Sequence, residues 1–180
     1  MPKIKQVRLE SPSPKRAEEF LDAVSRSRAL HKNRATPPST RDGYENFVKS
    51  AITDRRACFF IVDGTTDDLA GVINISEIVR GSFQSAYLGY YALLPYAGTG
   101  YMHAGLVQAL NCAFGDLKIH RLEANIQPAN GQSIRLAQSL GFRLEGFSPK
   151  YLKVSGRWRD HERWAILREE WRAGRGRRTG

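Results

Sequence analysis

Residues Leu88 to Met102 have the sequence LGYYALLPYAGTGYM, which is the most informative segment of the chain. An apolar, tyrosine-rich run typical of a strand is followed by a glycine loop, and the loop opens a segment with helical spacing. The first turn of a helix carries unpaired backbone N–H groups and the positive end of the helix dipole, and glycines let an anion approach them closely. The stretch therefore predicts a binding site for a phosphate or pyrophosphate.

Two familiar phosphate loops do not fit this stretch. A P-loop ends in Gly-Lys-Ser or Gly-Lys-Thr, whereas Tyr101 and Met102 follow Gly100 here. A dinucleotide loop needs the spacing G-x-G-x-x-G, which Gly98, Gly100 and Gly105 do not have. Taken alone, the loop could equally be a tight turn between a strand and a helix.

The segments on either side of the loop predict one mixed α/β domain over residues 1–171. Apolar periodicity gives the element order β-α-α-β-β-β-α-β-α-β-β, which is typical of a central, mostly antiparallel, twisted sheet of about seven strands with about four helices. The first helix is expected over residues 14–30 and the last two strands over residues 150–154 and 158–167. Residues 172–180 are rich in Gly and Arg and are expected to form a basic, disordered tail.

Composition favours a globular chain with an anionic partner. Among 180 residues, 28 Lys and Arg against 18 Asp and Glu give a net charge of +10, for which RNA or a phosphorylated ligand would be a suitable partner. Two cysteines exclude a disulfide scaffold, and the four histidines have no metal-ligand spacing, so no metal is expected. The sequence has no apolar run long enough to span a membrane and no signal-peptide pattern, which predicts a cytoplasmic location and no membrane partner.

A second junction between a strand and a helix has the same form as the first. Residues 121–126 read as a short strand, and Asn130 and Ser133 stand at the start of the helix that ends at Gly141. Helix capping alone would explain both polar residues. A ligand held between the two junctions would meet two helix N-termini.

The two junctions together resemble the GCN5-related N-acetyltransferase (GNAT) superfamily, and within it the ribosomal-protein-alanine acetyltransferases of the RimJ/RimL type. The family's loop Gln/Arg-x-x-Gly-x-Gly/Ala is matched by residues 97–102, and its Asn-x-x-Ser by Asn130 and Ser133. The closing Trp-Arg-Asp-His at residues 158–161 is the part most similar to the subgroup. The resemblance covers about residues 8–171 and departs at Ala97, where Gln or Arg is usual, and at Met102, where Gly or Ala is usual.

The resemblance implies acetyl-CoA as the cosubstrate, held by the strand, the glycine loop and the second helix. Pantetheine would bind the strand like an added β-strand, and a backbone N–H of that strand would stabilise the oxyanion. The expected cofactor-binding residues are Tyr90, Tyr91, Ala92, Leu93, Ala97, Gly98, Thr99, Gly100, Tyr101, Met102, Asn130 and Ser133.

The resemblance also suggests which residues carry the chemistry. In other branches of the family a tyrosine on the second helix is the acid, but the matching position here is Ala137, so Ser133 becomes the candidate proton donor to the leaving thiolate. Glu123 and Asn125 lie two residues apart on one strand and share a face. By resemblance this face looks into the acceptor site, with Glu123 as candidate base and Asn125 orienting a water molecule. Glu123 could equally be a structural carboxylate.

The acceptor is the least determined part of the prediction. The resemblance favours the N-terminal α-amine of a protein, of the ribosomal-protein-alanine type, and the loop Asn33–Ser39 with the two helices around it would shape that site. A small amine (an amino acid, a polyamine or an antibiotic) stays open, as does a non-catalytic CoA-binding protein that contacts RNA. A monomer and a homodimer both fit. Because CoA is itself a polyanion, part of the charge of the folded part is expected to serve it, separately from the arginines of the tail.

Overall fold

An antiparallel meander forms the centre of the sheet. The computed structural model describes residues 5–176, with side chains through residue 174. Strands β3 (Arg56–Asp63), β4 (Leu69–Val79) and β5 (Ser85–Ala92) pair consecutively and antiparallel. Strands β3 and β4 are buried along most of their length, which explains why their sequences are nearly continuous apolar runs.

The remaining strands extend the meander on both sides. Strand β1 (Val7–Glu10) and the short β2 (Ile52–Thr53) both pair with β3. On the other side β6 (Arg121–Ile126) pairs parallel with β5, and β8 (Arg157–Leu167) and β7 (Arg143–Val154) follow, in the order β1-β3-β4-β5-β6-β8-β7. The predicted mixed, mostly antiparallel sheet is confirmed, and within residues 5–176 it has eight strands because β2 adds a two-residue strand.

Helices cover both faces of the sheet. After a 3-10 turn at Pro14–Arg16, the described residues form six helices: α1 (Ala17–Arg26), α2 (Arg28–His31), α3 (Arg41–Lys49), α4 (Tyr101–Phe114), α5 (Gly131–Ser139) and α6 (Arg168–Gly176). Helices α1 and α3 pack through Phe20, Tyr44 and Phe47 on one face, whereas α4 and α5 cover the larger apolar core on the other. None of these helices is long and apolar enough to cross a membrane.

The predicted first helix is interrupted at Ser27, which accounts for one of the additional helices. The fully buried Ser27 hydroxyl donates to the Ala23 carbonyl at 2.7 Å and accepts from the Leu94 backbone N–H at 2.9 Å. The break therefore fixes the segment that follows β5 against α1 and α2. This contact joins residues far apart in sequence, so the helical periodicity alone could not reveal it.

Strand β7 begins earlier than predicted, at Arg143 instead of residue 150. Pro149 interrupts the strand pattern, and Lys150 has a φ of 48° where the pairing with β8 shifts between Ser148 and Leu152. The Lys150 backbone N–H donates to Asp160 Oδ1 at 2.8 Å across this irregularity. The proline therefore marks a bulge inside a long strand rather than its start.

The predicted tail boundary at Arg172 is also wrong, because α6 continues through it to Gly176. Trp171 is buried and its Nε1 donates to Asn111 Oδ1 at 2.9 Å, while Glu170 Oε2 accepts from the Leu167 backbone N–H at 2.7 Å at the helix start. One anchoring tryptophan and an acidic first turn stabilise a helix that composition alone did not indicate. The last part of the predicted tail, residues 177–180, lies outside the described residues.

Candidate active site

The parallel pairing between β5 and β6 stops part-way along both strands. The register runs from Ser85 opposite Arg121 to Tyr87 opposite Glu123, whereas β5 continues to Ala92 and β6 to Ile126. The two strands therefore diverge beyond this point and leave one edge of β5 open. Such an edge can accept an extended ligand as though it were another strand.

Three cavities follow this gap. The central cavity, of about 320 Å³, lies between β5, the end of β6, the start of α5 and residues 34–38 of the loop before α3. The loop cavity, of about 140 Å³, continues from it to the glycine loop. The distal cavity, of about 490 Å³, lies at the opposite end, against β7. The residues shared by the central and loop cavities are Arg34, Ala35, Tyr90, Tyr91, Asn130 and Ser133. Those shared by the central and distal cavities are Leu88, Gly89 and Asn125.

The glycine loop has the geometry that an anion site at a helix start requires. Gly98 and Gly100 have φ of 74° and 93°, and Gly100 is the residue that precedes the first turn of α4. Tyr101 OH donates to Asp63 Oδ2 at 2.6 Å, a bond that raises the pKa of Tyr101 to about 12. The Tyr101 hydroxyl is thus bonded to the end of β3. Ala97, Gly98 and Met102 line the loop cavity.

Backbone direction separates the predicted contacts on β5 into two groups. The Leu93 N–H donates to the Ala70 carbonyl at 2.9 Å, and the Leu93 carbonyl accepts from the Tyr96 N–H at 2.9 Å. Because alternate residues of a strand direct their N–H groups to opposite sides, Tyr91 also faces β4, whereas Tyr90 and Ala92 face the gap. This corrects the expectation for Leu93, whose backbone groups are both occupied and whose side chain is fully buried.

His31 completes this wall, and no sequence pattern indicated that it would. Its Nε2 lies 2.7 Å from the Ala92 carbonyl oxygen and donates to it, which leaves Nδ1 as an acceptor. Nδ1 is buried and has no partner within the described residues, and the residue lines the loop cavity. Burial lowers the pKa of His31. The residue is therefore a neutral imidazole with an unused acceptor beside the open edge of β5.

The start of α5 brings the second predicted junction to the same gap. Asn130 caps the helix, its Oδ1 accepting from the Ser133 N–H at 3.4 Å, and Tyr90 OH donates to the Ser133 carbonyl at 3.3 Å. Burial raises the pKa of Tyr90 to about 12, so this donor keeps its proton. The Ser133 hydroxyl has no hydrogen-bond partner among the described residues and lies where the central and loop cavities meet.

The structure separates the two residues predicted on β6. Asn125 lines both the central and the distal cavity, and its Oδ1 is buried without a partner among the described residues. Glu123 lines none of the three cavities, and its Oε2 accepts from Arg121 Nη2 at 2.8 Å. The base role of Glu123 thus stays a prediction, with its carboxylate engaged in an ion pair.

His161 lines the central cavity from β8. Its Nδ1 lies 2.9 Å from the Arg159 carbonyl oxygen and donates to it, so the lone pair of the neutral ring is on Nε2. The residue is 3% exposed and lines the same cavity as Asn125 and Ser133. Within residues 5–174, no three His, Cys, Asp or Glu side chains gather to hold a metal ion. The site therefore offers an imidazole, a hydroxyl and an amide around one gap.

Comparison with known proteins agrees with this geometry. The chain is 36% identical over 114 residues to the probable N-acetyltransferase YjcK of Bacillus subtilis and 38% identical over 117 residues to the [ribosomal protein uS5]-alanine N-acetyltransferase of Escherichia coli. These matches cover 63% and 65% of this chain, but they span only 63% and 60% of the two relatives. The solved structure of Mycobacterium smegmatis RimJ in complex with CoA-disulfide is 26% identical, with a TM-score of 0.83 over 91% of this chain and 83% of the other.

The family model described as acetyltransferase (GNAT) domain matches residues 6–143, which is most of the chain. The predicted resemblance and the predicted fold class are thereby confirmed. Accordingly, this chain belongs to the acetyltransferase (GNAT) domain family.

Proposed function

We propose that this chain is an acetyl-CoA-dependent N-acetyltransferase whose acceptor is the N-terminal α-amine of a protein, of the ribosomal-protein-alanine type. The observation that carries the proposal is the gap between β5 and β6, where the two predicted junctions meet in connected cavities. Family membership and the 38% identical relative from Escherichia coli support it. A ribosomal-protein substrate places the proposed reaction in the cytoplasm.

The residues around the gap fit CoA. The open edge of β5 offers the Tyr90 backbone and the Ala92 N–H to pantetheine, and His31 Nδ1 is a further acceptor for one of its amide N–H groups. The N–H groups at the start of α4, after Gly98 and Gly100, suit the pyrophosphate, as the loop sequence predicts. Asn130 would bond the pantetheine amide from the other side, while Thr99, Tyr101 and Met102 contribute through the loop backbone.

The chemistry needs the acceptor to lose a proton and the leaving sulfur to gain one. Acetyl-CoA supplies the acetyl group as a thioester, so transfer forms a C–N bond and breaks a C–S bond. His161 Nε2 and Glu123 are the two candidate groups to take the proton from the amine, and the position of His161 in the wall of the central cavity favours it. The Tyr90 N–H would bind the oxyanion, Ser133 Oγ would donate to the sulfur, and Asn125 would orient the amine or a water molecule.

A covalent route through cysteine is disfavoured by the environment of Cys58. This thiol is fully buried, and burial raises its pKa to about 12, so it carries almost no thiolate at neutral pH. Direct attack by the amine is therefore the proposed route.

Release of free CoA thiol tests the function. Acetyl-CoA is incubated with peptides that begin with Ala or Ser and, separately, with amino acids, polyamines and aminoglycosides. We expect release with the peptides and a mass increase of one acetyl group at the N-terminus. Release only with small amines would replace the proposed acceptor, and stabilisation by acetyl-CoA without release for any amine would support a non-catalytic binding protein.

Replacing Gly100 by alanine should weaken acetyl-CoA binding about tenfold. A side chain at a φ of 93° costs about 1–2 kcal/mol, so the loop should relax and redirect the N–H groups at the start of α4. Calorimetric titration with acetyl-CoA measures the change. The matched control is Gly81→Ala, which has a φ of 69° and open space around an added Cβ in a turn away from the gap. It should lower the melting temperature similarly and leave affinity unchanged; equal affinity losses would contradict the loop's role.

A further inference from the structure

The central cavity carries positive charge and no acidic side chain. Its wall includes Arg34 and Arg56, and none of its lining residues is an Asp or a Glu. An amine acceptor is cationic in solution, so two guanidinium groups would repel it on the way to the gap. A wall of this charge instead suits an acceptor that carries an anionic group close to its amine.

Arg56 is the better positioned of the two arginines. Its Nη2 donates to Asn74 Oδ1 at 3.0 Å, its Nη1 to Ser50 Oγ at 3.4 Å, and its guanidinium lies 5.6 Å from the centre of the Phe47 ring. These partners are neutral, and Arg56 makes no ion pair with any described residue. Its Nε is buried without a partner. The side chain is therefore held in place while its charge stays uncompensated, which a carboxylate would relieve.

The strand register separates Arg56 from the place where CoA phosphates would bind. Its partner Asn74 lies opposite Gly89, three residues before the end of β5 at Ala92. Three residues of strand correspond to about 10 Å, and the glycine loop lies further along the chain. Arg56 lines the central cavity but not the loop cavity. An anion at Arg56 would therefore belong to the acceptor and not to the pyrophosphate.

The same register places Arg56 near the reacting end of the acceptor. Gly89 is one residue from Tyr90, and one strand rise combined with one strand spacing gives about 6 Å between the Asn74 position and the Tyr90 backbone. Consecutive Cα atoms of a peptide lie 3.8 Å apart, so a carboxylate on the second residue lies within roughly 8 Å of the terminal amine. Arg56 Nη2 lies 3.0 Å from Asn74 Oδ1. A carboxylate on the second residue could therefore reach Arg56 while the terminal amine lies near the Tyr90 backbone.

We propose that Arg56 binds the carboxylate of an Asp or Glu at the second position of the acceptor peptide, and that the protein selects substrates with an acidic second residue. This inference rests on the proposed function of N-terminal acetylation. An acidic side chain also gives the acceptor a negative group that offsets the repulsion between its ammonium and the basic surface.

Two hexapeptides that start with Ala and differ only in Glu or Gln at position two test the inference. Turnover is followed by thiol release, and affinity is measured by calorimetry on the protein saturated with CoA. We expect the Glu peptide to be preferred roughly tenfold in kcat/KM, as one charge-assisted hydrogen bond would give. In Arg56→Gln this ratio should fall to about 1, whereas Arg56→Lys should keep a preference of severalfold because the charge is retained.

Arg41→Gln is the matched control, because it removes the same charge from the exposed start of α3, where Arg41 pairs with Glu18 and Glu45. It should leave both the ratio and the turnover unchanged. Equal turnover of the two peptides by the unaltered protein, or a ratio that survives Arg56→Gln, would overturn the inference while leaving the proposed function intact. Arg56-dependent binding of the Glu peptide without acetylation would overturn the proposed function and leave the inference about Arg56 intact. A lack of both binding and turnover for either peptide would overturn both.

Discussion

Replacing His161 by glutamine should lower kcat about 100-fold and leave the affinity for acetyl-CoA within about threefold. Loss of a positioned base typically costs 10²- to 10⁴-fold, and the lower end applies where water can take part of the role. The reason lies in the environment of the ring: Nδ1 donates to the Arg159 carbonyl at 2.9 Å, so the other nitrogen holds the lone pair in the central cavity. Glutamine can keep the bond to that carbonyl but cannot accept a proton.

Pre-steady-state acetyl transfer measures this effect, and calorimetric titration with acetyl-CoA on the same preparation shows whether binding is retained. The loss should fall on the transfer rate, because the substitution removes the proton acceptor and not a contact to CoA. His120→Gln is the control, since His120 pairs with Glu169 on the surface. Melting temperatures show whether the buried substitution has unfolded the protein. If Glu123→Gln instead abolishes acetyl transfer while His161→Gln keeps the rate of the unaltered protein, the base is Glu123.

The local parts of the site could be read from the sequence. The positive φ of Gly98 and Gly100 and the cap formed by Asn130 depend on residue types within a few positions of each other. The alternation of backbone N–H directions along β5 also follows from local geometry. The observed bond from the Leu93 N–H to the Ala70 carbonyl was needed, however, to show which residues face the gap. Short-range stereochemistry therefore predicted both junctions.

The walls of the central and loop cavities could not be predicted in the same way. Arg56 reaches the central cavity because β3 and β4 align it near Asn74, and His31 reaches the loop cavity because a helix break at Ser27 turns α2 toward Ala92. Each placement depends on sheet register or on a contact between residues distant in sequence. Glu123 shows the converse, since its position on the strand was predicted but its ion pair with Arg121 was not. Hydrophobic periodicity is therefore least able to predict where long, charged side chains lie in the fold.

Replacing Ser133 by alanine should lower kcat by about 10- to 100-fold and change the dissociation constant of acetyl-CoA by less than about threefold. The Ser133 hydroxyl has no partner among the described residues and lies where the central and loop cavities meet. The Tyr90 hydroxyl donates to the Ser133 carbonyl nearby. The backbone contributions of Ser133 to the helix cap survive the substitution, so the loss should fall on the step in which the sulfur leaves and gains a hydrogen bond.

Single-turnover transfer and calorimetry on the same preparation separate the two effects. Ser133→Thr restores a hydroxyl and should recover part of the rate, which a purely structural role of the small side chain would not produce. Ser139→Ala, in the last turn of the same helix, where the hydroxyl donates to the Leu136 carbonyl at 2.7 Å, should leave the rate unchanged. If Ser133→Ala weakens acetyl-CoA binding by the same factor as it lowers kcat/KM, with kcat intact, Ser133 binds the cofactor and the proton for the leaving thiolate comes from another group. The candidate is then Tyr90, whose hydroxyl lies 3.3 Å from the Ser133 carbonyl oxygen.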